Sequence, residues 1–517
     1  MLDASSSRWE HVAQNLKLLM LSLILLPLDT ALLIGSIIIR PFLRYSPVNH
    51  RQLVRSPNSP FLETRNVLIT GVGMTKGLAL ARLFYAAGHN VIGADFESPL
   101  MPSSCGRYSR SLKAFHKLSK PDGTIEGSAR YTHGLLEIIR RERIDLWVSC
   151  SGVASALDDG RAKETIELVT SCKAVQYDVA MTQKLHEKHT FMDFTESIGL
   201  AIPETHHITS SEAALKILSD SESTGKKYIM KFTGTDDSVR GNMTQLPLSS
   251  PRKTATHIER LSISPDRPWI LQQFISGPEY CTHALVINNK VVAFTACPSA
   301  ELLMHYTALP TDSALSRSML NFTRRFASSC PDGFTGHLSF DFLVDRKDDE
   351  AAEHNTIEHV PLWPIECNPR AHTAVVLFSE TPEMISEGYM KVFDPPMSPE
   401  VDVKGRRRLN GSLHPEPIYP NAPAKYYWLP HDLTTLAILP ILQMFSAPGS
   451  SFSEILDAVL ELVEHVWQWR DGTYEIWDPL PAWILWHVSW PWIFLVSIAT
   501  GHKWSRINVS TMKVFGC

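Results

Sequence analysis

Two apolar strands that each carry acid place the tightest limit on what this chain can become. One reads Gly336-His337-Leu338-Ser339-Phe340-Asp341-Phe342-Leu343, the other Pro364-Ile365-Glu366-Cys367-Asn368-Pro369-Arg370. Side chains alternate across a strand, so Glu366 and Asn368 share a face while Cys367 takes the other. A carboxylate inside an apolar strand is costly unless it is paired or bound to a metal. Two readings meet that condition. Either Asp341 or Glu366 forms a structural salt bridge with Arg370, or Asp341, Glu366 and Asn368 offer hard oxygen ligands to magnesium, which commonly shares them with phosphates.

The residues upstream favour the metal. Tyr228-Ile229-Met230-Lys231-Phe232 reads as a buried strand carrying one lysine, followed by the polar, glycine-flanked loop 233–241. Such a lysine beside such a loop suits a phosphate clamp. Next come Trp269-Ile270-Leu271-Gln272-Gln273-Phe274-Ile275, then Gly277-Pro278-Glu279, then a hairpin from Ala284 to Phe294 turning at Asn288-Asn289.

This ordered set, over roughly residues 60 to 395, resembles the ATP-grasp superfamily, which includes D-alanine–D-alanine ligase, biotin carboxylase and carbamoyl phosphate synthetase. The resemblance implies ATP as cosubstrate and two magnesium ions, with manganese as the alternative, held by Asp341, Glu366 and Asn368. It assigns Lys231 to the phosphates, with the 233–241 loop closing over them. Gln272, Gln273, Phe274 and Ile275 would line the adenine pocket, and Glu279 would hold the ribose hydroxyls. Arg370 would steady an acyl phosphate or an incoming anion. Two positions depart from the family pattern. The first hinge residue is usually acidic and here is Gln272; an earlier lysine often follows aspartate and here is Lys188 after Glu187.

The expected fold class is α/β: a Rossmann-like domain ahead of an ATP-grasp fold of two α+β subdomains clasping ATP, with hydrophobic N- and C-terminal segments. Its domains are expected at 1–60, 61–165, 166–395 and 396–517, the last beginning in a Pro-rich stretch after Asp394. In the second, a strand from Asn66 leads into Gly71-Val72-Gly73-Met74-Thr75-Lys76-Gly77, a helix to Ala87 closed by Gly88, and a strand from Asn90 ending at Asp95. That turn suits a nicotinamide-dependent oxidoreductase, or serves only to pack helix on strand. A short-chain dehydrogenase wants Tyr-x-x-x-Lys, and none of the 13 tyrosines has lysine four residues on. A helix from Gly134 to Arg143 and a strand from Ile144 to Cys150 continue the sheet. Ser149, Ser151 and Gly152 then form either a substrate pocket or a capping turn. Cys150, without a basic neighbour, reads as a packed thiol. Residues 183–218 read as two helices about Gly199-Leu200-Ala201-Ile202-Pro203. His206 and His207 read as surface residues, His337 and His372 as structural neighbours of the metal strands.

A net charge of −5 offers no basic surface for nucleic acid, and eight cysteines without a Cys-x-x-Cys pair fit reduced thiols. Leu18–Ile39 is long and apolar enough to span a bilayer, but Pro27 and Asp29 interrupt it. A mid-membrane carboxylate costs about 2.5–3.5 kcal/mol, so a re-entrant hairpin or interfacial helix pair with Asp29 at the headgroups is expected. The segment 477–499 is dense in tryptophan, which favours the membrane–water boundary. The two ends could form one monotopic membrane patch (residues 18–39 and 477–499) with the catalytic domain facing the cytosol. The alternatives are a soluble cytoplasmic protein whose apolar ends pack on its own core, or a homodimer contact. The tail Trp477-Asp478-Pro479-Leu480-Pro481 with Lys503-Trp504-Ser505-Arg506-Ile507-Asn508 looks like the mycosporine-glycine synthase branch and its fungal secondary-metabolite relatives. The expected partners are therefore a small-molecule acid and an amino-acid-like amine. A catalytically silent ATP-binding membrane scaffold is the remaining alternative.

Overall fold

The computed structural model describes residues 5–43, 47–48, 51, 63–98, 101–150, 152, 155–221, 226–232, 244–299, 305–354, 356–395, 415–421, 425–441 and 452–517. The 233–241 loop, Ser151, most of the stretch between Arg40 and Pro60 and the Pro-rich boundary after Asp394 lie largely or wholly outside them.

The chain is a mixed α/β protein with a parallel sheet. Strands β1 (Asn66–Thr70), β2 (Asn90–Phe96), β3 (Leu112–Leu118), β4 (Leu146–Val148) and β5 (Lys173–Val175) run parallel in the order β3-β2-β1-β4-β5. Alternation along β1 divides its two faces. Val67 and Ile69 pack under α2 (Thr75–Ala86), while Leu68 packs with α3 (Ile125–Glu142) and α4 (Ala156–Val169). Helix α3 starts nine residues before the expected Gly134, because Thr124 caps it by accepting from the Gly127 N–H at 3.0 Å.

The stretch read as one helix from 183 is broken. Helix α5 (Val179–His186) ends at Glu187, whose extended backbone starts α6 (Lys188–Ser197). After Gly199 the chain forms β6 (Thr205–Ile208), which pairs with β8 (Trp269–Gln273), as does β7 (Tyr228–Phe232). Helices α7 (Ser211–Ser221) and α8 (Pro251–Glu259) complete this small layer. The second antiparallel sheet runs β10-β9-β12-β13, from β9 (Glu279–Ile287), β10 (Lys290–Pro298), β12 (Gly336–Leu343) and β13 (Trp363–Asn368). The expected Asn288-Asn289 turn joins β9 to β10 with both residues at positive φ, +49° and +64°. Helix α9 (Ala314–Ser329) covers one face of that sheet through Met319, Phe322 and Phe326. On the other face Leu285 and Val292 meet Phe84 of α2 and Tyr389 of α11 (Pro382–Met390), joining the two sheets in one core. Short α10 (Arg346–Glu353) follows β12. At Gly277 a Cβ would stand 1.8 Å from the Val344 carbonyl, so the Gly-x-Glu turn closes only with glycine.

Beyond residue 395 lie β14 (Lys425–Tyr427), α12 (Leu429–Asp432), a π-wound stretch Leu433–Ile438, α13 (Phe452–Gln468) and β15 (Arg470–Asp471); β14 also pairs with β11 (Tyr306–Thr307). Helices α14 (Leu480–Ile484) and α15 (Trp490–Thr500) precede the hairpin β16 (Trp504–Asn508)–β17 (Lys513–Gly516).

The N-terminal segment differs from the expectation of a hairpin or helix pair. Helix α1 is continuous from Arg8 to Ile39, through Pro27, and opens on a capping box between Ser7 and Glu10. Asp29 is not set apart at a bend: its carboxylate lies 2.8 Å from His487 Nε2. Other polar groups on α1 also meet the C-terminal helices and hairpin. Trp483 Nε1 donates to Thr30 Oγ1 at 3.1 Å, Ser22 Oγ donates to the Trp486 carbonyl at 2.9 Å, and Trp504 Nε1 donates to Asn15 Oδ1 at 3.2 Å. The apolar residues Leu23, Ile24, Leu28 and Ile38 stay exposed. The two hydrophobic ends therefore meet, with α1's polar face turned to the protein.

Candidate active site

Strands β12 and β13 place Asp341 directly opposite Glu366, and Ser339 opposite Asn368. Asn368 Nδ2 donates to Asp341 Oδ2 at 3.1 Å, and Arg370 Nη2 donates to Asn368 Oδ1 at 2.8 Å. Lys188, at the first turn of α6, forms an ion pair with Glu366 at 3.0 Å. The salt bridge weighed for Arg370 is not what forms: its closest side-chain partner is the Asn368 amide, and its buried Nε has no hydrogen-bond partner among the described residues. Burial, then the neighbouring Glu366 and Glu279 charges, push the Asp341 carboxyl well above the usual carboxylate range, while Arg370 and Lys188 oppose that rise. Two half-buried carboxylates in register, with an amide oxygen beside them and an orphan guanidinium nitrogen, suit a divalent cation with a polyanion.

Lys231, on β7, faces the same space. Burial and the nearby Lys188 lower its pKa to about 7, with Glu366 and Glu279 acting the other way. Its Nζ donates to Gln272 Oε1 at 2.6 Å, and Gln272 Nε2 donates to Thr205 Oγ1 at 3.3 Å. The side-chain oxygen expected at the adenine is thus held by Lys231. The Gln273 N–H, at the end of β8, lies 2.8 Å from the Glu204 carbonyl; the Phe274 N–H reaches the Lys227 carbonyl at 2.7 Å, and Ile275 is buried. Glu279 heads β9, where its carboxylate accepts from Ser299 Oγ at 2.7 Å. Lys188, Lys231, Glu279, Asp341, Glu366, Asn368 and Arg370 thus converge between the β6-β8-β7 layer and the larger antiparallel sheet.

Sequence reading missed Lys76, Thr205 and Ser299. Lys76 looked like a turn residue, yet it is buried and its Nζ donates to the Ala371 carbonyl at 3.0 Å, one residue past Arg370. Burial, then Arg370, lowers its pKa to about 7. The sign follows from the ordinary value of 10.5: between about pH 7 and 10.5 the unfolded chain holds a proton that the folded chain lacks, so stability rises with pH across that window. Urea midpoints from pH 7 to 9 are therefore expected to rise more steeply in the parent protein than in Lys76→Met. Equal slopes would show that Lys76 does not titrate in the fold.

The glycine turn is occupied by the chain itself. Asp95 Oδ2 accepts from the Gly73 N–H at 2.5 Å, the Thr75 N–H donates to the Ser510 carbonyl at 3.0 Å, and Trp428 Nε1 donates to Thr75 Oγ1 at 3.3 Å. The amides a dinucleotide pyrophosphate would need are taken. Gly77 packs close, where a Cβ would stand 2.3 Å from the Gly71 carbonyl. Ser149 donates to Asp159 Oδ2 at 3.0 Å, and Tyr131 donates to its other oxygen at 2.5 Å, so Ser149 serves a buried network. The Gly152 carbonyl accepts from the Ser155 N–H in a turn, and burial pushes the Cys150 thiol up to about 12. His337 bonds Tyr389 Oη at 2.6 Å, and the His372 ring accepts from the Ala374 N–H at 3.3 Å. His206 and His207 lie by Glu204 and Asp193 at 3.0 and 3.7 Å.

No family model and no curated protein matches the chain. Among solved structures it is similar to N5-carboxyaminoimidazole synthetase from Staphylococcus aureus complexed with ADP, at 14% identity over 60% of this chain and 72% of that one, with a TM-score of 0.41. It is also similar to L-amino acid ligase from Bacillus licheniformis (11%, 60% and 68%, TM-score 0.39) and to the biotin carboxylase–β-γ-ATP complex from Campylobacter jejuni (14%, 64% and 71%, TM-score 0.43).

Proposed function

We propose that this chain is an ATP-grasp ligase that activates a carboxylate, or an enol behaving like one, with ATP and joins it to an amine, making a C–N bond. The observation that carries the reading is the in-register pair Asp341 and Glu366 facing Lys188, Lys231 and Arg370. On this reading the parallel sheet is the Rossmann-like domain.

Asp341, Glu366 and Asn368 would hold two magnesium ions, or manganese; the raised Asp341 carboxyl fits such a cation, and the orphan Arg370 Nε fits an anionic oxygen beside it. The ions would neutralise charge on the nucleotide phosphates. Lys231 and Lys188 bind the phosphates, Glu279 the ribose, and residues Gln272 to Ile275 the base. The γ-phosphoryl group passes to a substrate oxygen and ADP leaves. The amine then attacks the activated carbon, the bond to phosphate breaks, and the amine proton goes to solvent. Arg370 orients the activated oxyanion, so catalysis is positioning and electrostatics. An amino acid as amine and a place in secondary-metabolite biosynthesis extend this reading through the tail motifs. The test is magnesium-dependent ADP release over a panel of acids, enols and amino acids. Release needing both an acid and an amine supports the ligase; ADP release with neither requirement, or NAD(P)H turnover, would replace it.

The membrane reading is part of the same proposal. Helices Arg8–Phe42 and Leu480–Thr500 are long and apolar enough to cross a bilayer. The exposed side of α1 is apolar while its polar groups are satisfied by the C-terminal helices, which suits a lipid-facing surface with the catalytic domain in the cytosol. The full chain is expected to float with phosphatidylcholine vesicles. Leu23→Glu with Leu28→Glu, both exposed, should weaken that partition at least ~100-fold, since each charge costs about 2.5–3.5 kcal/mol in hydrocarbon. Unchanged flotation would remove α1 from the contact.

A further inference from the structure

We infer that His305, Asp432 and His465 form a binding site for one zinc-class transition-metal ion, separate from the carboxylate site. The three come from distant parts of the chain: His305 just before β11, Asp432 at the end of α12, and His465 on α13. His305 Nε2 lies 2.9 and 3.1 Å from the two Asp432 oxygens, and His465 Nδ1 lies 2.6 Å from Oδ2. One ligand atom from each residue falls within 4.8 Å of the others. The Asp432 side chain is wholly buried, and His465 nearly so.

Two imidazoles and a carboxylate are a zinc donor set, whereas magnesium prefers oxygen alone. Bonds of about 2.0 Å in a tetrahedron put ligand atoms roughly 3.3 Å apart, so the cluster would admit the ion by opening less than about 1 Å. The remaining ring nitrogen of His465 faces Glu461 at 4.0 Å, where a carboxylate would orient a ligating imidazole. His305 keeps 29% of its side chain exposed, which leaves the fourth position to water. The rings of Trp469 and Tyr427 stand 4.5 and 5.8 Å from His465 and wall the site.

The fold gives such an ion a task. Among its described residues, α13 buries only Ile455 and His465, while Leu456, Leu460, Val463, Val466 and Trp467 are exposed. A 17-residue helix with so small a buried face gains little from apolar packing. One ion would tie α13, α12 and the strand after His305 together, as metals do in units with too small a core.

The test uses the untagged full chain in detergent, stripped with chelator and titrated with zinc. One equivalent should bind, and cobalt in its place should give the visible absorption of a tetrahedral site. Zinc should also slow proteolysis of α13. His305→Ala, at the most exposed ligand, should keep the fold and weaken zinc binding at least 100-fold; Asp432→Asn should do the same. Absence of a stoichiometric ion, or equal binding by His305→Ala, would overturn the proposal and leave a hydrogen-bonded His–Asp–His cluster.

Discussion

Glu366→Ala is expected to lower magnesium-dependent ADP release by about 10²–10³-fold or more, on the scale of removing one preorganised transition-state contact, while the protein stays folded. Glu366 is 38% exposed in its pair with Lys188, so the pair contributes little to folding, roughly 0–1 kcal/mol. Its value lies in what it faces. The carboxylate sits opposite Asp341 and supplies part of the negative charge that would hold a cation bridging to a polyphosphate. Loss of turnover with an unchanged melting curve would separate this role from a structural one. Full ADP release in Glu366→Ala would mean that the paired carboxylates do not serve nucleotide chemistry.

The largest effect on stability is expected far from that site. Asp478, wholly buried, takes Arg82 Nε at 3.0 Å, Ser109 Oγ at 2.6 Å and the Arg110 N–H at 2.9 Å, while Arg82 also donates to the Thr473 carbonyl at 2.8 Å and the Asp478 carbonyl at 2.9 Å. Asp478→Ala strands a buried guanidinium and should cost about 3–5 kcal/mol. Arg82→Met combined with Asp478→Ala should cost less than the sum of the two single changes, because the charge that would be left unpaired is gone. Urea unfolding of the four proteins gives the comparison; a single-variant loss below about 1 kcal/mol would show the pair to be hydrated. This contact gives a physical reason for the Trp477-Asp478-Pro479 tail: it fastens the C-terminal segment to α2 of the parallel sheet.

What could be seen in the sequence was local. Strand β12 runs over the residues its alternation marked, and the Asn288-Asn289 turn sits where its positive φ values were needed. Glu366 and Asn368 could be placed on one face from a period of two alone, whereas Asp341, on another strand, joined them only through the family resemblance. Pairings across long separations left no such mark. Asp29 meets His487, and Asp432 meets His305, only after folding, so Asp29 read as a break in an apolar run and His305 read as nothing. Pro27 misled for a related reason. It removes one backbone donor, but packing of α1's polar face on the C-terminal helices carries the helix past it. The Gly71–Gly77 turn showed its shape but not its cover. Ser510 and Trp428, more than 350 residues away, occupy the amide and hydroxyl that a phosphate would use.

Activation of the acid by γ-phosphoryl transfer leaves its record in the oxygen atoms. A carboxylic acid labelled with ¹⁸O, turned over with ATP, magnesium and an amine, should deliver one labelled oxygen to the inorganic phosphate, with ADP as the nucleotide product. Label appearing in AMP, or product formed with no label in phosphate, would contradict the mechanism and with it the roles given to Lys231, Asp341 and Glu366.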